Sequence, residues 1–328
     1  MQTIPLILNI LNFSFNIFSI SIYFGIILTI FKHQRVVKDI PLMLTYNTCF
    51  AAFLACLTVC FMAISNFTNG FLIYSYDFCI FWGLLYDIFV CSIYHSYYLQ
   101  AFYRLCRVVF YKKKFLLNHR LFIILILGQW FIAILILLPP IIFHWYQMLA
   151  NEYYCLVPYT NYVAETYHIS AIYLMPIVFI VVAYVWIANF IRSTSRTTTT
   201  LLGAHQRQRN QRDLTVIKRI ATLISILVAL RFPTIIFMIA AHIQGYLYVY
   251  TFGIVGLITS LCMIIIGCMM IYITPQLRNY FLNFISRNTP INTQRVLRQQ
   301  STVPTTGGVQ QNQVSSTRAN ANVLPVIP

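Results

Sequence analysis

The chain has 328 residues, of which 59% are hydrophobic and only 9% are charged. Soluble domains carry roughly 25% charged residues, so this composition excludes an ordinary soluble protein. The formal net charge of +16 could indicate a nucleic-acid partner, but the basic residues lie in short segments between apolar runs. That placement is typical of membrane topology, and we expect a lipid bilayer and no nucleic acid as its surroundings.

Apolar runs long enough to cross a bilayer, which takes about 20 helical residues, follow one another along the chain. Seven of them span approximately residues 5–31, 40–64, 77–108, 120–145, 167–191, 216–242 and 246–273. The first begins close to Met1 and no small-residue cleavage site follows it, which predicts a retained signal anchor. The predicted fold class is an all-α membrane protein, a seven-transmembrane helix bundle.

The basic residues predict the orientation of this bundle. Of the 22 Lys and Arg residues, all but Arg231 lie in the segments 32–39, 104–120 and 192–219 or after residue 273. The alternate segments, 65–76, 146–166 and 243–245, contain none. Because basic loops stay on the cytoplasmic side, the N-terminus is expected outside and the C-terminus inside, in a multi-pass protein of the plasma membrane.

Cysteine and glycosylation signals agree with this orientation. Cys79 and Cys155 fall on the predicted outer side, where an oxidising compartment permits a disulfide. The other seven cysteines lie within or at the inner ends of apolar runs. Asn66, followed by Phe67 and Thr68, is an acceptor sequence for N-glycosylation in a predicted outer loop.

The C-terminal segment differs in composition from the rest. From Arg287 onward there is no aromatic residue, and Gln, Asn, Ser and Thr dominate. Such a segment cannot bury enough apolar surface to order itself, so residues 287–328 are predicted to form a disordered cytoplasmic tail.

The third run carries a resemblance to class A, rhodopsin-like G-protein-coupled receptors. In that family the third helix begins with a disulfide cysteine and ends with Asp-Arg-Tyr. Cys79 and Arg104 have the family's own spacing, so the resemblance identifies Arg104 as the cytoplasmic end of the third helix. It also implies a disulfide between Cys79 and Cys155, across the mouth of a ligand cavity.

Weaker points of resemblance to the family occur at the corresponding positions of the other helices. Together they extend the resemblance to about residues 5–286. They are Trp130 and Pro139-Pro140 in the fourth run, Pro176 and Tyr184 in the fifth, Pro233 in the sixth and Tyr272 after the seventh. Beyond Tyr272, residues Leu277, Tyr280 and Phe281 share one face, as in an amphipathic helix on the inner membrane surface. The resemblance thus implies a receptor domain over residues 1–286, with a short amphipathic eighth helix over about 275–286.

The sequence departs from the family pattern at several motifs. Tyr103-Arg104-Leu105 replaces Asp-Arg-Tyr, and Cys268 to Tyr272 replaces Asn-Pro-x-x-Tyr. The second run has Ala51-Ala52 near the usual Asp position, and Arg231 stands where the family commonly has a tryptophan. The sequence alone leaves open whether these motifs support the usual activation.

The resemblance implies a receptor that binds an extracellular ligand and activates a heterotrimeric G protein. The residues assigned to coupling and activation are Arg104, Tyr184, Asp213, Pro233 and Tyr272. An acid at position 213 could hold Arg104 in a closed state, because breaking a charge-assisted pair can release a bistable helix. The alternative is that Asp213 belongs to a solvated charge patch, where ion pairs contribute ~0–1 kcal/mol.

Asp87 and Arg231 are the candidate ligand anchors. They are the fully ionised residues deep inside predicted spans, where charges are costly and often functional. We expect them to face each other across the cavity, with Tyr86 beside them, either binding a polar ligand or forming a structural pair. The ligand class expected from the short N-terminus is a small molecule or a short peptide.

Other classes of protein fit the sequence less well. A seven-span transporter or channel remains the alternative, but it would predict internal repeats and several polar residues along a pathway. Neither an HExxH motif nor paired intramembrane carboxylates indicate an enzyme, and the histidines have no metal-ligand spacing. A retinal receptor is excluded because residues 246–273 contain no lysine, so no cofactor is expected. Serines and threonines of the tail are candidate phosphorylation sites for an arrestin-like partner.

Overall fold

The computed structural model describes residues 3–32, 39–68, 70–149, 152–197, 222, 225–226, 228, 232–274 and 277–278. The chain divides into two units, Met1–Phe281 and Leu282–Pro328, and every described residue belongs to the first. Arg231, Asp213 and the predicted tail lie outside the described residues, as does most of the predicted amphipathic helix. Of that helix, Leu277 and Arg278 are described as helical, and the Leu277 side chain is buried.

The described residues are mostly helical. The helices are α1 (Thr3–Lys32), α2 (Ile40–Phe67), α3 (Tyr76–Val108), α4 (His119–Ile136), α5 (Leu138–Ile142), α6 (Tyr162–His168), α7 (Met175–Thr197), α8 (Phe232–Gln244) and α9 (Thr251–Ile273). A π-helical turn, Ile169–Leu174, joins α6 to α7, and 3₁₀ turns cover Phe71–Ile73 and Lys114–Leu117. Between α5 and α6, β1 (Gln147–Met148) and β2 (Cys155–Leu156) form a small antiparallel hairpin.

Within the described residues, six helical segments are long and apolar enough to cross a membrane. They are Ile4–Lys32, Ile40–Phe67, Tyr76–Val108, His119–Ile142, Tyr162–Ser193 and Thr251–Ile273. The shorter apolar helix α8 belongs to the predicted sixth span, 216–242, and residues 222, 225, 226 and 228 are also helical. Gly245, at φ +73°, follows α8, and residues 245–250 connect it to α9.

Prolines account for the irregular points in two spans. Pro139 and Pro140 open α5, where a residue without an N–H is tolerated, and they separate α5 from α4. In the fifth span, Pro176 cannot donate a helical hydrogen bond, and the wide π turn lies immediately before it. There the N–H of Met175 donates to the carbonyl of Ser170, five residues earlier.

A polar contact joins α1 to α9 inside the bundle. Asn16, which is 1% exposed, donates from Nδ2 to the Ser260 hydroxyl at 2.6 Å. The same hydroxyl also donates to Oδ1 of Asn12. Gly256 lies against Asn12, where an added Cβ would come 3.1 Å from the Asn12 amide nitrogen. Small residues at this contact allow the two backbones to approach closely, as they do in many membrane helix pairs.

A second polar network joins α2, α3 and α4. Asn47 donates to Oε1 of Gln129 at 3.1 Å, and Gln129 donates to the Ser92 carbonyl at 2.8 Å. The indole N–H of Trp130 donates to Oδ1 of Asn47 at 3.0 Å. Trp130 is one of the residues on which the family resemblance rests, and this hydrogen bond holds the fourth span against the second.

Replacing Asn16 with Ala should destabilise the bundle, because it removes the interhelical hydrogen bond to Ser260. Such bonds contribute about 1 kcal/mol in membrane proteins, so the thermal midpoint of the detergent-solubilised protein should fall by a few degrees. Ser21→Ala is the control, since the exposed Ser21 hydroxyl bonds to the Ile17 carbonyl of its own helix. Equal midpoints for the two variants would show that the α1–α9 contact does not depend on Asn16.

Candidate functional site

The β1–β2 hairpin closes one end of the bundle, which we call the hairpin end. Its register pairs Gln147 with Leu156 and Met148 with Cys155. Cys155 is bonded through a disulfide to Cys79, in the first turn of α3. The disulfide expected from the sequence is therefore present, and it attaches the loop between α5 and α6 to α3.

Gly83 leaves room for this hairpin against α3. A Cβ atom at position 83 would lie 2.3 Å from the carbonyl oxygen of Cys155, far closer than any ordinary contact. The absent side chain thus allows the β2 backbone to lie directly against α3, one turn after the disulfide. This use of glycine depends on a neighbour 72 positions later in the chain (155 − 83), so local sequence gives no sign of it.

The end of α2 holds the other side of the same loop. The Ser65 hydroxyl donates to the Tyr153 carbonyl at 2.7 Å, and the Tyr153 N–H donates to Oδ1 of Asn66 at 2.8 Å. The Asn66 amide nitrogen donates to the Glu152 carboxylate. Asn66, the predicted glycosylation acceptor, therefore has both ends of its amide engaged with the loop. Its glycosylation stays a prediction, and a glycan there would compete with the bond to Glu152.

A cavity of about 410 Å³ lies between this loop and the helices, within the size range of small-molecule sites. Its lining comes from α1, α2, α3, the hairpin loop, α6, the π turn and α9. The predicted ligand residues Tyr86 and Asp87 both line it, together with two carboxylates that sequence reasoning missed, Glu152 and Glu165. Glu165 precedes the apolar run that begins near residue 167, so the sequence indicated a loop where the structure has α6.

The Asp87 carboxylate is buried and is held by the loop above it. It accepts a hydrogen bond of 2.8 Å from the Tyr146 hydroxyl, and Nδ1 of His168 lies 3.9 Å from the same oxygen. Burial, followed by the nearby negative charge of Asp87, raises the pKa of the Tyr146 phenol well above its usual value. Tyr146 therefore remains a hydrogen-bond donor. The predicted pairing of Asp87 with Arg231 stays a prediction, because Arg231 lies outside the described residues.

The opposite end of α3 carries Arg104, and we call it the arginine end. Nη1 of Arg104 donates to the Tyr184 hydroxyl of α7 at 3.5 Å, the long limit of a hydrogen bond. The structure thus brings together two of the residues assigned to activation. Pro233 lies in the first turn of α8, and Tyr272 is half exposed in the last turn of α9.

Comparison with known families and structures identifies the class. The sequence profile of the family described as "7 transmembrane receptor (rhodopsin family)" matches residues 24–272. The chain belongs to this family, as the resemblance in the third helix indicated. Among solved structures, a crystal structure of squid rhodopsin matches with a TM-score of 0.70 and 16% sequence identity, over 93% of each chain. At that identity the likeness shows the fold, and it confirms the seven-transmembrane helix bundle. No curated protein sequence matches the chain.

Gly83→Ala should lower the thermal midpoint, because the new methyl group would displace the Cys155 carbonyl and the hairpin with it. Gly128→Ala is a matched control in α4, where nothing lies within 4 Å of the added Cβ. There the better helix propensity of alanine should stabilise by up to about 1 kcal/mol. Thermal unfolding in detergent compares the two variants. A change of the thermal midpoint with the same sign in both would contradict the role of Gly83 in leaving room for the hairpin.

The stability of the loop should depend on pH through Glu152. Burial raises the pKa of its carboxyl from the ordinary value of 4.5 to about 6, although the hydrogen bond from Asn66 acts in the opposite direction. Because the folded protein binds this proton more tightly than the unfolded chain, the resulting stabilisation is complete below pH 4.5 and disappears as the pH rises through about 6.

Glu152→Gln removes this ionisation while keeping a side-chain oxygen for the Asn66 bond. The thermal midpoint of the variant, relative to the original protein, should therefore rise between pH 4.5 and about 6 and stay constant above that. Midpoints that change in parallel for both proteins across this interval would show that Glu152 ionises as an exposed carboxyl does.

Proposed function

We propose that the chain is a cell-surface receptor, which binds a small-molecule or short-peptide ligand at the hairpin end and activates a heterotrimeric G protein at the arginine end. Its membership of the rhodopsin family supports the receptor class and disfavours the transporter or channel alternative. The basic segments beside the arginine end support its assignment to the cytoplasm and the hairpin end to the outside, in the plasma membrane.

One observation carries the proposal: a single rigid helix, α3, contributes to both ends. Asp87 lines the cavity, and Arg104 lies 17 residues further along (104 − 87), or about 25 Å at 1.5 Å per residue. A ligand that shifts α3 relative to α7 would alter the contact between Arg104 and Tyr184. A helix shared by two distant sites is one physical route by which binding at one can bias the state of the other.

The altered motif around Arg104 supports a weakly restrained resting state. Tyr103, which replaces the usual acid, packs edge-on against Phe122 of α4 with ring centroids 5.3 Å apart, and Leu105 is buried. The contact partner of Arg104 in the described part of the chain is therefore the neutral hydroxyl of Tyr184, not an adjacent carboxylate. We expect measurable activity without ligand, because a neutral partner holds a cation less strongly than a charged one.

Further assignments follow from the family and remain part of the proposal. Asp213, Pro233 and Tyr272 are assigned to activation together with Arg104. The tail, residues 287–328, is assigned to an arrestin-like partner after phosphorylation. No cofactor enters this function, which is that of a receptor and not of an enzyme.

Ligand-free nucleotide exchange tests the proposal directly. Each Gα class is fused to the C-terminus of the chain, because tethering raises the effective concentration of the partner and makes weak coupling detectable. One or more fusions should show exchange above that of the unfused Gα. Arg104→Ala should reduce this exchange at least several-fold at equal surface expression, since the residue would contact the G protein when released from Tyr184.

Arg107→Ala is the matched control, because it removes the same charge from the same helix at an exposed position. Exchange that is absent from every fusion would contradict the proposed function, and exchange that is equal with Arg104→Ala and without it would contradict the coupling role of Arg104. An increase with Arg104→Ala would contradict only the coupling role, and would assign Arg104 to restraint of the resting state.

A further inference from the structure

Basic residues far outnumber acidic ones in the segments assigned to the cytoplasm. These segments contain every Lys and Arg residue of the chain except Arg231, and their acidic residues are Asp39 and Asp213. Even if both acids paired with cations, a large surplus of positive charge would remain. The function proposed above uses one of these cations, Arg104, and leaves the others without a role.

Five of the remaining cations belong to one short segment, residues 107–120, which we call the basic connection. It comprises the end of α3, the turns after it and the first two residues of α4. The five are Arg107, Lys112, Lys113, Lys114 and Arg120. The sequence has no Asp or Glu between Asp87 and Glu152, so the basic connection contains no acid of its own.

The basic connection exposes cations and aromatic rings side by side. Its exposed cations include Arg107, Lys112, Lys113 and Arg120, and within the described part of the chain no salt bridge neutralises them. The aromatic side chains of Tyr111 and Phe115 are 56% and 73% exposed. This combination is typical of segments at a membrane surface, where rings enter the headgroup layer and cations bind phosphates.

Backbone turns fix the course of the basic connection. The N–H of Lys113 donates to the Phe110 carbonyl at 2.9 Å, and the N–H of Leu116 donates to the Lys113 carbonyl at 3.0 Å. The Asn118 side chain accepts a hydrogen bond of 3.1 Å from the Arg120 N–H and so caps α4. The surface is therefore formed before any partner arrives, which lowers the entropy cost of binding.

One aromatic contact places the basic connection beside the bilayer. The ring of Phe110 packs edge-on against Trp186 of α7, with centroids 5.7 Å apart. Trp186 is 51% exposed within the fifth span, so its open side faces lipid. Nζ of Lys113 lies 5.8 Å from the centroid of the same Phe110 ring. The Lys113 ammonium group is therefore close to the lipid-facing side of α7, where phospholipid headgroups can reach it.

We propose that the basic connection binds anionic phospholipids of the inner leaflet, with Lys112 and Lys113 at their phosphates and the rings of Tyr111 and Phe115 in the headgroup layer. The inner leaflet carries negative charge, so partner and surface are complementary. Each Lys or Arg near such a surface strengthens binding by about fivefold. This inference goes beyond the proposed function and takes from it only the cytoplasmic position of the arginine end.

Hydrogen exchange of the full chain in lipid nanodiscs tests the proposal without a G protein. One set of discs contains phosphatidylcholine alone, and the other contains phosphatidylserine as well. Backbone amides of the basic connection should exchange several-fold more slowly in the discs with phosphatidylserine. Raising the salt concentration to about 1 M shortens the Debye length to about 3 Å, so it should reduce this difference.

Charge variants assign the effect to the basic connection. Lys112→Gln combined with Lys113→Gln should abolish the difference between the two sets of discs, because losing both charges weakens lipid binding about 25-fold. Lys112→Arg combined with Lys113→Arg keeps both charges and should retain it. Lys32→Gln combined with Arg278→Gln is the matched control, since it removes the same charge from exposed positions outside the basic connection. This control should also retain the difference.

Phe115→Ala tests the aromatic part of the surface. Because insertion of a ring does not require lipid charge, this variant should speed exchange of the basic connection in both sets of discs. Phe131→Ala is the control, since Phe131 is 62% exposed in the middle of α4 and should not affect the basic connection. Equal exchange in Phe115→Ala and the original protein would contradict insertion of the Phe115 ring.

Two results would overturn the lipid site: equal exchange in the two sets of discs, or a difference that persists when Lys112 and Lys113 are both replaced by Gln. An acidic face of the G protein is the competing partner for these cations. In that case the Gln variant would lower nucleotide exchange in the Gα fusions, and phosphatidylserine would not slow hydrogen exchange. The discs contain no G protein, so the lipid site and the proposed function fail separately.

Discussion

The close approach of the Cys155 carbonyl to α3 is the contact on which the site depends. A hairpin can lie against a helix at this distance only where the helix offers no side chain, and Gly83 meets that condition. The disulfide to Cys79 then holds the loop in place from one turn earlier. With the loop in this position, the Tyr146 hydroxyl donates a hydrogen bond to the Asp87 carboxylate, which lines the cavity. The position of the loop and the polar lining of the cavity are consequently set by the same few atoms.

The membrane imposes a second constraint, since buried polar groups there have no water to bond with and must find partners inside the bundle. The Asn16–Ser260 contact satisfies this requirement between α1 and α9, and the Asn47–Gln129 contact does so between α2 and α4. Apolar packing alone distinguishes poorly between alternative helix neighbours, because lipid tails are as apolar as leucine. These polar pairs therefore help to specify which helices adjoin, and the hydrogen bond from Gln129 to the Ser92 carbonyl extends the second one to α3.

Much of the fold could be predicted from the sequence because charge is almost absent from the spans and concentrated between them. The same contrast indicated Asp87 as a candidate site residue, which lines the cavity, and Arg104 as the end of the third helix. Predictions were weaker wherever a residue acts through a distant neighbour. The role of Gly83 depends on Cys155, and the bonding of the Asn66 amide depends on Glu152, which lies 86 positions later.

Glu165 was missed for another reason. Hydropathy marks where the chain enters the apolar layer, but α6 begins at Tyr162, before that point, so a polar residue in its first turn looks like part of a loop. Glu152 was missed because it follows no periodic pattern and acquires its neighbours only when the hairpin folds over the bundle. Both residues change the interpretation of the cavity: the sequence predicted Asp87 and Arg231 as its charged residues, whereas the structure adds two further carboxylates to its lining.

The two ends of α3 differ in a way that bears on signalling. At the hairpin end Asp87 is buried and accepts a hydrogen bond from Tyr146, so this end is held by a disulfide and by a hydrogen bond to a carboxylate. At the arginine end, Tyr103 is engaged in packing with Phe122 and the Arg104 contact to Tyr184 is long. A helix anchored firmly at one end and loosely at the other moves mainly at the loose end. Under the proposed function, a ligand in the cavity would shift the populations of the two states by the difference in its binding free energy between them.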